Sequence, residues 1–443
     1  MIRFLQISDI HFSNTAGVDD DFRLMKRRFL EDIAKCRRKM GKIDYILICG
    51  DVAFSGIESQ YKEAKEFIKL ICEKTECSSE QLFVVPGNHD KRRDVYSKTR
   101  MIMRDALLKG KSTKQLLISK VREPMAVGVL YVPFKQFYLF ASEYSSISDV
   151  AQKSLFFPEA DQDKGIVPKF EPEDAFYWTE QIGEMEGMPI YLHGCNSALL
   201  SDKDDGESCN LKESEGEHLQ VLPLQMYNIS PAENEIHIIM LHHPMSEVYN
   251  GKTITTELDS RFRLQLFGHV HKQSSSSENA VHIYSGALQP PEADDNKEYF
   301  PVYNVIELDV EGEDKALWLK VDIYSRKWDG GKFDEYMEET KVGDKALRLK
   351  LPHNNAWEKT MATIKKVKKE DKIIEEAKIE VYPHVIKHRF LQCGKEGKVI
   401  KAMYGDKFDK ISPNRLKYLE FLRQVEIDDR INELNDILTR YGK

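Results

Sequence analysis

Residues 82–90 read L-F-V-V-P-G-N-H-D. Leu82, Phe83, Val84 and Val85 are β-formers, and Pro86-Gly87 stops them in a tight turn. Three polar groups follow at once: Asn88, His89 and Asp90. This is a buried strand opening at its carboxyl end, where open α/β sheets place their chemistry. Alone it says little about function. Four other stretches repeat the pattern: Ser8-Asp9-Ile10-His11, Cys49-Gly50-Asp51, Leu241-His242-His243-Pro244 and Phe267-Gly268-His269-Val270-His271 each follow their own apolar run.

Working outward, residues 2–7 and 43–48 are the two upstream apolar runs. Between them, residues 19–40 carry Phe22, Met25, Phe29, Ile33 and Cys36 at helical spacing, with Gly41 placed to end the helix. Residues 58–75 repeat this with Tyr61, Ala64, Phe67, Ile68 and Ile71. The β-α-β-α-β alternation predicts a parallel sheet between helix layers. Further strands are expected at 189–192, 236–241 and 264–267. More alternating ones, of antiparallel type, are expected at 280–284, 302–308 and 317–324. Ser274 to Ser277 reads as a serine-rich turn, and 201–217 as a polar loop. Residues 92–188 interrupt the alternation with a helical start to about Arg122. Aromatics then run from Tyr131, Phe134, Phe137, Tyr138, Phe140 and Tyr144 through Phe156, Phe157 and Phe170 to Trp178. This segment is an insertion packed on the core or a lid, and aromatic clusters favour the core.

The chain has 443 residues, a formal net charge of −8, 41% hydrophobic and 31% charged residues. At about 150 residues per domain this allows two or three domains. No apolar run approaches the ~20 residues of a membrane helix, and the first residues turn polar too soon for a signal peptide. Seven cysteines without a C-x-x-C pair point to a reducing cytoplasm and to buried small hydrophobes. Charge is uneven: residues 341–443 hold 24 Lys+Arg against 16 Asp+Glu, in a chain that is acidic as a whole. A basic region on an acidic body suits a polyanion contact, a partner interface or solvated helix faces. We therefore expect a body of 1–340, with the 92–188 insertion, and a basic, mainly helical region of 341–443. Ser412-Pro413 starts a helix well. Leu416, Leu419, Leu422, Ile427, Ile431, Leu434, Leu438 and Tyr441 predict a long amphipathic helix that packs on the body or, alternatively, seats a protein partner or a second copy.

Seven polar groups at the strand ends are metal-ligand types: Asp9, His11, Asp51, Asn88, His242, His269 and His271. In extended backbone, residues i and i+2 point to the same side, so D-x-H and H-x-H offer paired donors. Imidazole nitrogens mixed with carboxylate and amide oxygens suit Mn, Fe, Zn or Co rather than Ca or Mg. A lone His at a strand end is ordinarily a hydrogen-bonded loop residue; seven such groups on separate β-runs are not. Arg92, with Arg93, follows the turn and is placed to meet phosphate or to begin a helix. His193 and Asn196 sit on a neighbouring strand end, as substrate-side or supporting candidates, and His243 is a supporting one.

Asp9-x-His11, Gly50-Asp51, Gly87-Asn88-His89-Asp90, His242-His243-Pro244 and Gly268-His269-x-His271 resemble, in type and order, the five signatures of the calcineurin-like metallophosphoesterases. The resemblance covers roughly residues 1–325 and is silent on the insertion and the basic region. It implies an α/β fold, a four-layer α/β/β/α sandwich, with two metals. One would be held by Asp9, His11, Asp51 and His271, the other by Asp51, Asn88, His242 and His269, with Asp51 as the bridge and manganese the first candidate. It implies two cations about 3.5–4 Å apart that clamp a phosphate and acidify a bridging water, whose hydroxide attacks phosphorus in line. His89, not needed as a ligand, would be general acid or transition-state stabiliser, and Asp90 would orient it or cap the next segment. One departure stands out: Gly50-Asp51 is followed by Val52-Ala53-Phe54-Ser55-Gly56, where many relatives carry a further acidic residue. The expected reaction is phosphodiester hydrolysis of a nucleic-acid strand or nucleotide. The alternatives are a cyclic-nucleotide phosphodiesterase, a phosphomonoesterase, and a partner-binding module with a structural metal site.

Overall fold

The computed structural model describes residues 1–13, 20–92, 94, 130–144, 176–201, 222–223, 226, 229–232, 234–248, 251–289, 300–313, 316–351, 390, 396–408, 414–428, 430, 433–434 and 436–438. The opening run forms β1 (Ile2–Ile7), the next β2 (Tyr45–Cys49), and the quoted stretch β3 (Leu82–Val85), all four of whose side chains are buried. Helices α1 (Asp20–Met40) and α2 (Glu58–Thr75) connect them. β1 pairs β2 in parallel, with Leu5 opposite Ile46, and β2 pairs β3 in parallel, with Ile48 opposite Val84. The predicted alternation is thus present.

The first sheet continues on the other side of β1. There β10 (Val302–Glu313) runs antiparallel to it and β11 (Ala316–Trp328) antiparallel to β10; β12 (Phe333–Glu335) and β13 (Leu347–Lys350) both pair β11. The second sheet has the order β4 (Tyr177–Met185), β5 (Met188–Cys195), β6 (Ile236–Met240), β7 (Leu264–Phe267), β9 (Val281–Tyr284), β8 (Ser274–Ser277). Helices α3 (Lys135–Ala141) and α4 (Gly251–Arg261) complete the body among the described residues.

Side-chain alternation along single strands sorts the layers. Ile46 and Ile48 face a cluster with Phe29, Phe67, Ile68, Phe137 and Phe140 of α1, α2 and α3. Leu47 and Cys49 face the opposite way, into a cluster with Ile190, Ile238, Leu266 and Ile306 between the sheets. Ile239 and Leu241 then face Ile254, Leu258 and Phe262 around α4. The result is helices, sheet, sheet, helix: the four-layer sandwich. Buried Tyr131, Phe134, Phe137, Tyr138, Phe140 and Tyr144 make the described part of the insertion core. Phe156, Phe157 and Phe170, and most of the helical start, lie outside the described residues, as does the stretch 202–217.

Three expectations change. The second sheet begins at Tyr177, not Pro189: β4 is a half-exposed edge strand of mixed polarity, and it returns through Glu186-Gly187, whose φ values of 50° and 80° are those of a two-residue hairpin turn. Ser274–Ser277 is an outer strand, antiparallel to β9, rather than a turn. An outer edge leaves serines half hydrated, so they carry no apolar signal. The terminal helix also ends early, as the second unit shows.

The chain divides into two compact units, Met1–Met361 and Ala362–Lys443. Because β13 pairs β11, strands of the first unit run past residue 340. In the second unit, α5 (Glu396–Tyr404) and α6 (Asn414–Ile427) bury Val399, Ile400, Met403, Phe421, Leu422 and Val425 in one cluster with Leu434 and Leu438. α6 stops where Asp428 accepts from Tyr404 and Gln424, each at 2.8 Å, and Arg430 donates to the Met403 carbonyl at 3.1 Å. The apolar stripe read as one long helix is thereby folded back into its own cluster. Ser412 and Pro413 lie outside the described residues. Among the described residues no helix is long and apolar enough to cross a membrane.

Candidate metal centre

Backbone bonds lace the turn after β1 to the turn after β2, and the turn after β6 to the turn after β7. Asp9 N–H donates to the Gly50 carbonyl and His11 N–H to the Asp51 carbonyl, both at 3.1 Å, and Gly268 N–H donates to the His242 carbonyl at 3.1 Å. Asp9, His11, Asp51, His269 and His271 all have positive φ, between 51° and 66°. The D-x-H and H-x-H pairs therefore converge through left-handed kinks, not through extended backbone as expected. The strands have already ended, and the ladder no longer dictates side-chain direction. Each kink costs roughly 1–2 kcal/mol in a residue with a Cβ, a strain that collects at functional sites. Glycines admit the closest approaches. A Cβ on Gly50 would lie 2.4 Å from His242 Nδ1, and one on Gly87 2.1 Å from Asp51 Oδ1.

All seven predicted metal-ligand residues meet. Asp51 Oδ2 lies 3.2 Å from His11 Nε2 and 3.3 Å from His242 Nε2. Asn88 Oδ1 lies 3.1 Å from His242 Nε2 and 3.2 Å from His269 Nδ1. His271 Nε2 lies 3.2 Å from Asp9 Oδ1, and Asp9 Oδ2 accepts the His269 N–H at 3.1 Å.

What the far nitrogens do decides the character of this cluster. His242 Nδ1 is 2.8 Å from the Cys49 carbonyl, and His11 Nδ1 is 3.1 Å from the Gln289 carbonyl. A carbonyl only accepts, so both protons sit on Nδ1 and a neutral ring turns its Nε2 lone pair onto Asp51. His269 Nε2 is 3.0 Å from Glu247 Oε2, which turns its Nδ1 lone pair onto Asn88. Acceptors thus face acceptors, and the fully buried Asp9 carboxylate turns Oδ1 to His271 Nε2 at 3.2 Å. Such a set suits divalent cations with mixed nitrogen and oxygen ligands, each imidazole held by an outer partner.

Without a cation, protons take that place. Burial opposes a charged His242, but the charges of Asp51 and Asp9, with the bonds to Asp51 and the Cys49 carbonyl, push it up to about 10. Burial likewise opposes a charged Asp9, yet the His271 bond and the His242 charge bring it down to about 2. Imidazolium at residue 242 stabilises the metal-free fold fully below its ordinary 6.5, and that contribution is lost as pH rises through about 10. A metal must displace this proton. Apparent Mn²⁺ affinity should therefore climb about tenfold per pH unit until pH reaches about 10, with proton release. Calorimetry in buffers of different ionisation enthalpy measures both, and a flat profile would contradict the competition.

His89 stands beside the cluster. Its backbone N–H donates to Asp51 Oδ1 at 2.8 Å, its Nδ1 donates to the Phe54 carbonyl at 2.8 Å, and its ring centre is 4.8 Å from that of His11. Asp90 neither orients His89 nor caps the next segment. It accepts from the backbone N–H of Val52, Ala53 and Gly87 and from the Tyr61 hydroxyl, tying the turn after β2 to the turn after β3. Burial and the charge of Asp51 push its carboxyl up to about 6. Arg92 grips Asp94 with two bonds of 2.9 and 2.6 Å. Asn196 is buried, its amide donating to the Tyr138 hydroxyl and accepting from Ala198 N–H. Both its polar ends bond within the core. His193 joins Tyr177, Thr179 and His237, and burial holds it neutral, down to about 3.

Three partners were not foreseen: Glu247, the Gln289 carbonyl and Ser197. Ser197 Oγ accepts N–H bonds from His242 and His243, so its own proton goes to His243 Nδ1 at 3.0 Å. His243 then keeps its proton on Nε2, buried without a partner. For Glu247 the expectation is quantitative. Replacing Glu247 by Gln weakens the hold on His269, and metal affinity should fall about 10–100-fold, read as a Kd in a Mn²⁺ titration. An unchanged Kd would show that the carboxylate does not support the ring.

Residues 2–273 match the family described as calcineurin-like phosphoesterase. An uncharacterised metallophosphoesterase-like protein, YydB of Bacillus subtilis, is 25% identical over 303 residues, covering 65% of this chain and 53% of its own length. The chain thus spans about half the length of this curated relative. Among solved structures, a single mutant of Vps29 from Entamoeba histolytica is 11% identical with a TM-score of 0.30, over 79% of this chain and 99% of its own. The sulfate thiohydrolase SoxB from Thermus thermophilus is 11% identical with a TM-score of 0.30, over 91% and 68%. No activity follows from likenesses this faint.

Proposed function

The chain belongs to the calcineurin-like phosphoesterase family of metal-dependent hydrolases, and from that premise we propose that it cleaves phosphodiester bonds in a nucleic-acid strand or nucleotide. We assign Asp9, His11, Asp51 and His271 to one divalent ion, and Asp51, Asn88, His242 and His269 to the other. Manganese is the first candidate, then iron, zinc or cobalt. The observation that carries this is Asp51, whose one oxygen lies 3.2 Å from His11 and 3.3 Å from His242. A single carboxylate faces both halves.

A pair of divalent ions held there would supply Lewis acidity and acidify water. The chain's residues supply the rest. Carbonyls of Cys49 and Gln289 and the Glu247 carboxylate fix which nitrogen of each imidazole faces inward. The Phe54 carbonyl holds His89 Nδ1–H, so a His89 imidazolium, protonated on both nitrogens, turns its Nε2–H to the ester oxygen and gives it that proton as the bond to phosphorus breaks, leaving the neutral ring. The basic composition of residues 341–443 supports a polyanionic substrate.

The test is a panel offered to Mn²⁺-loaded protein: single-stranded DNA, RNA, cyclic AMP, bis-p-nitrophenyl phosphate and p-nitrophenyl phosphate. We expect the diesters to turn over. Turnover of the monoester alone overturns the proposal, and cyclic AMP alone moves it to a cyclic-nucleotide phosphodiesterase. Bound metal without turnover would favour the partner-binding module.

A further inference from the structure

Five large apolar side chains are exposed among the described residues: Met1, Phe54, Leu70, Val270 and Met337. Two of the five sit in the turns that build the metal centre. Val270 lies between His269 and His271, and Phe54 is 51% exposed. Phe54 occupies the turn after β2, three residues beyond Asp51. A phenyl ring half exposed beside the candidate ligands offers apolar surface to whatever binds there.

The ring is also held in place. Phe54 N–H donates to the Phe12 carbonyl at 3.0 Å, the preceding Ala53 N–H donates to Asp90, and the Phe54 carbonyl takes His89 Nδ1. The ring centre lies 5.0 Å from that of His89, inclined at 36°, and 6.2 Å from that of His11, edge-on. The ring thus adjoins the imidazole that would serve the ester oxygen.

We propose that Phe54 is the specificity-determining platform of this centre, on which a planar aromatic group of the ester, a nucleobase or an aryl ring, stacks. This rests on the proposed function, in which the ester oxygen lies at His89. A flat ring with polar edges fits because the phenyl group adjoins the imidazoles of His89 and His11. Base–aromatic stacking of this kind changes affinity by about tenfold to a hundredfold.

The test compares adenosine 5′-monophosphate with methyl phosphate, titrated calorimetrically into Mn²⁺-loaded full-length protein. The wild type should bind the nucleotide at least tenfold more tightly. Phe54→Ala should bring the two affinities within about threefold of each other, and Phe54→Trp should restore the preference. The ratio of kcat/KM for thymidine 5′-p-nitrophenyl phosphate over methyl p-nitrophenyl phosphate should fall in parallel. Equal weakening of both ligands in Phe54→Ala would reduce the ring to a support for His89 and overturn the proposal, as would a wild type without preference. A wild type that prefers the nucleotide yet cleaves no diester would sink the diesterase reading and leave the platform standing.

Discussion

Asp51→Asn should strip both metal ions in a single substitution and lower hydrolysis at least a thousandfold. Asp51 is 1% exposed, and the charge of His242, its bonds to His11 and His242, and the charge of His89 outweigh burial to hold its carboxyl well below the usual range. The amide has almost the same shape but no charge. It would present an N–H or a weak carbonyl to nitrogens that need an anion between them. Lewis-acid stabilisation of a phosphoryl group is worth several kcal/mol, and about 1.4 kcal/mol is a factor of ten in rate. Elemental analysis after dialysis should drop from two ions per chain to fewer than one, and the rise in Tm on adding Mn²⁺ should vanish. One ion retained with a tenfold loss would mean that the carboxylate serves only one half.

His89→Ala is expected to cost about 10²–10⁴-fold in kcat while both ions stay bound. His89 is outside the seven assigned ligands; its Nδ1 is held by the Phe54 carbonyl and its backbone N–H donates to Asp51. Its loss should therefore spare the metal centre. A positioning role and a proton-donating role separate on the leaving group. p-Nitrophenolate departs without a proton, an alkoxide does not. The variant should lose far more on an alkyl diester than on a p-nitrophenyl diester. An equal loss on the two would remove the acid assignment even if activity fell.

The side chains that converge at the candidate metal centre were legible because their signal is local. Each is an Asp, His or Asn directly after a short apolar run, and the runs sort themselves by length and by Pro-Gly stops. The supports were not legible. Cys49, Phe54 and Gln289 act through backbone carbonyls, which every residue has, so no residue type betrays them. Glu247 follows His243-Pro244 by a few residues on a short turn, and only the fold shows that it reaches His269 rather than water. Asn196 ends a strand as the candidate ligands do, but its amide bonds to Tyr138 and Ala198, a partnership that the sequence does not display. β4 was missed although Glu186-Gly187 between Met185 and Met188 is hairpin chemistry, because an edge strand alternates weakly. The helical face of residues 414–438 was read correctly as apolar and wrongly as continuous; periodicity reports which side is buried, not where Asp428 and Arg430 turn the chain.

β1 lies between β2 and β10, and its Arg3 reaches Glu307, 304 residues further along. Ribosomes add about 5–20 residues per second, so some 15–60 s separate the birth of these two strands. For that time one side of β1 is an unpaired, largely apolar edge in a nascent polypeptide. Truncated translation products ending before residue 302 should be captured by chaperones or aggregate, and manganese cannot rescue them, because the Gln289 carbonyl and β10 arrive after every ligand has been made.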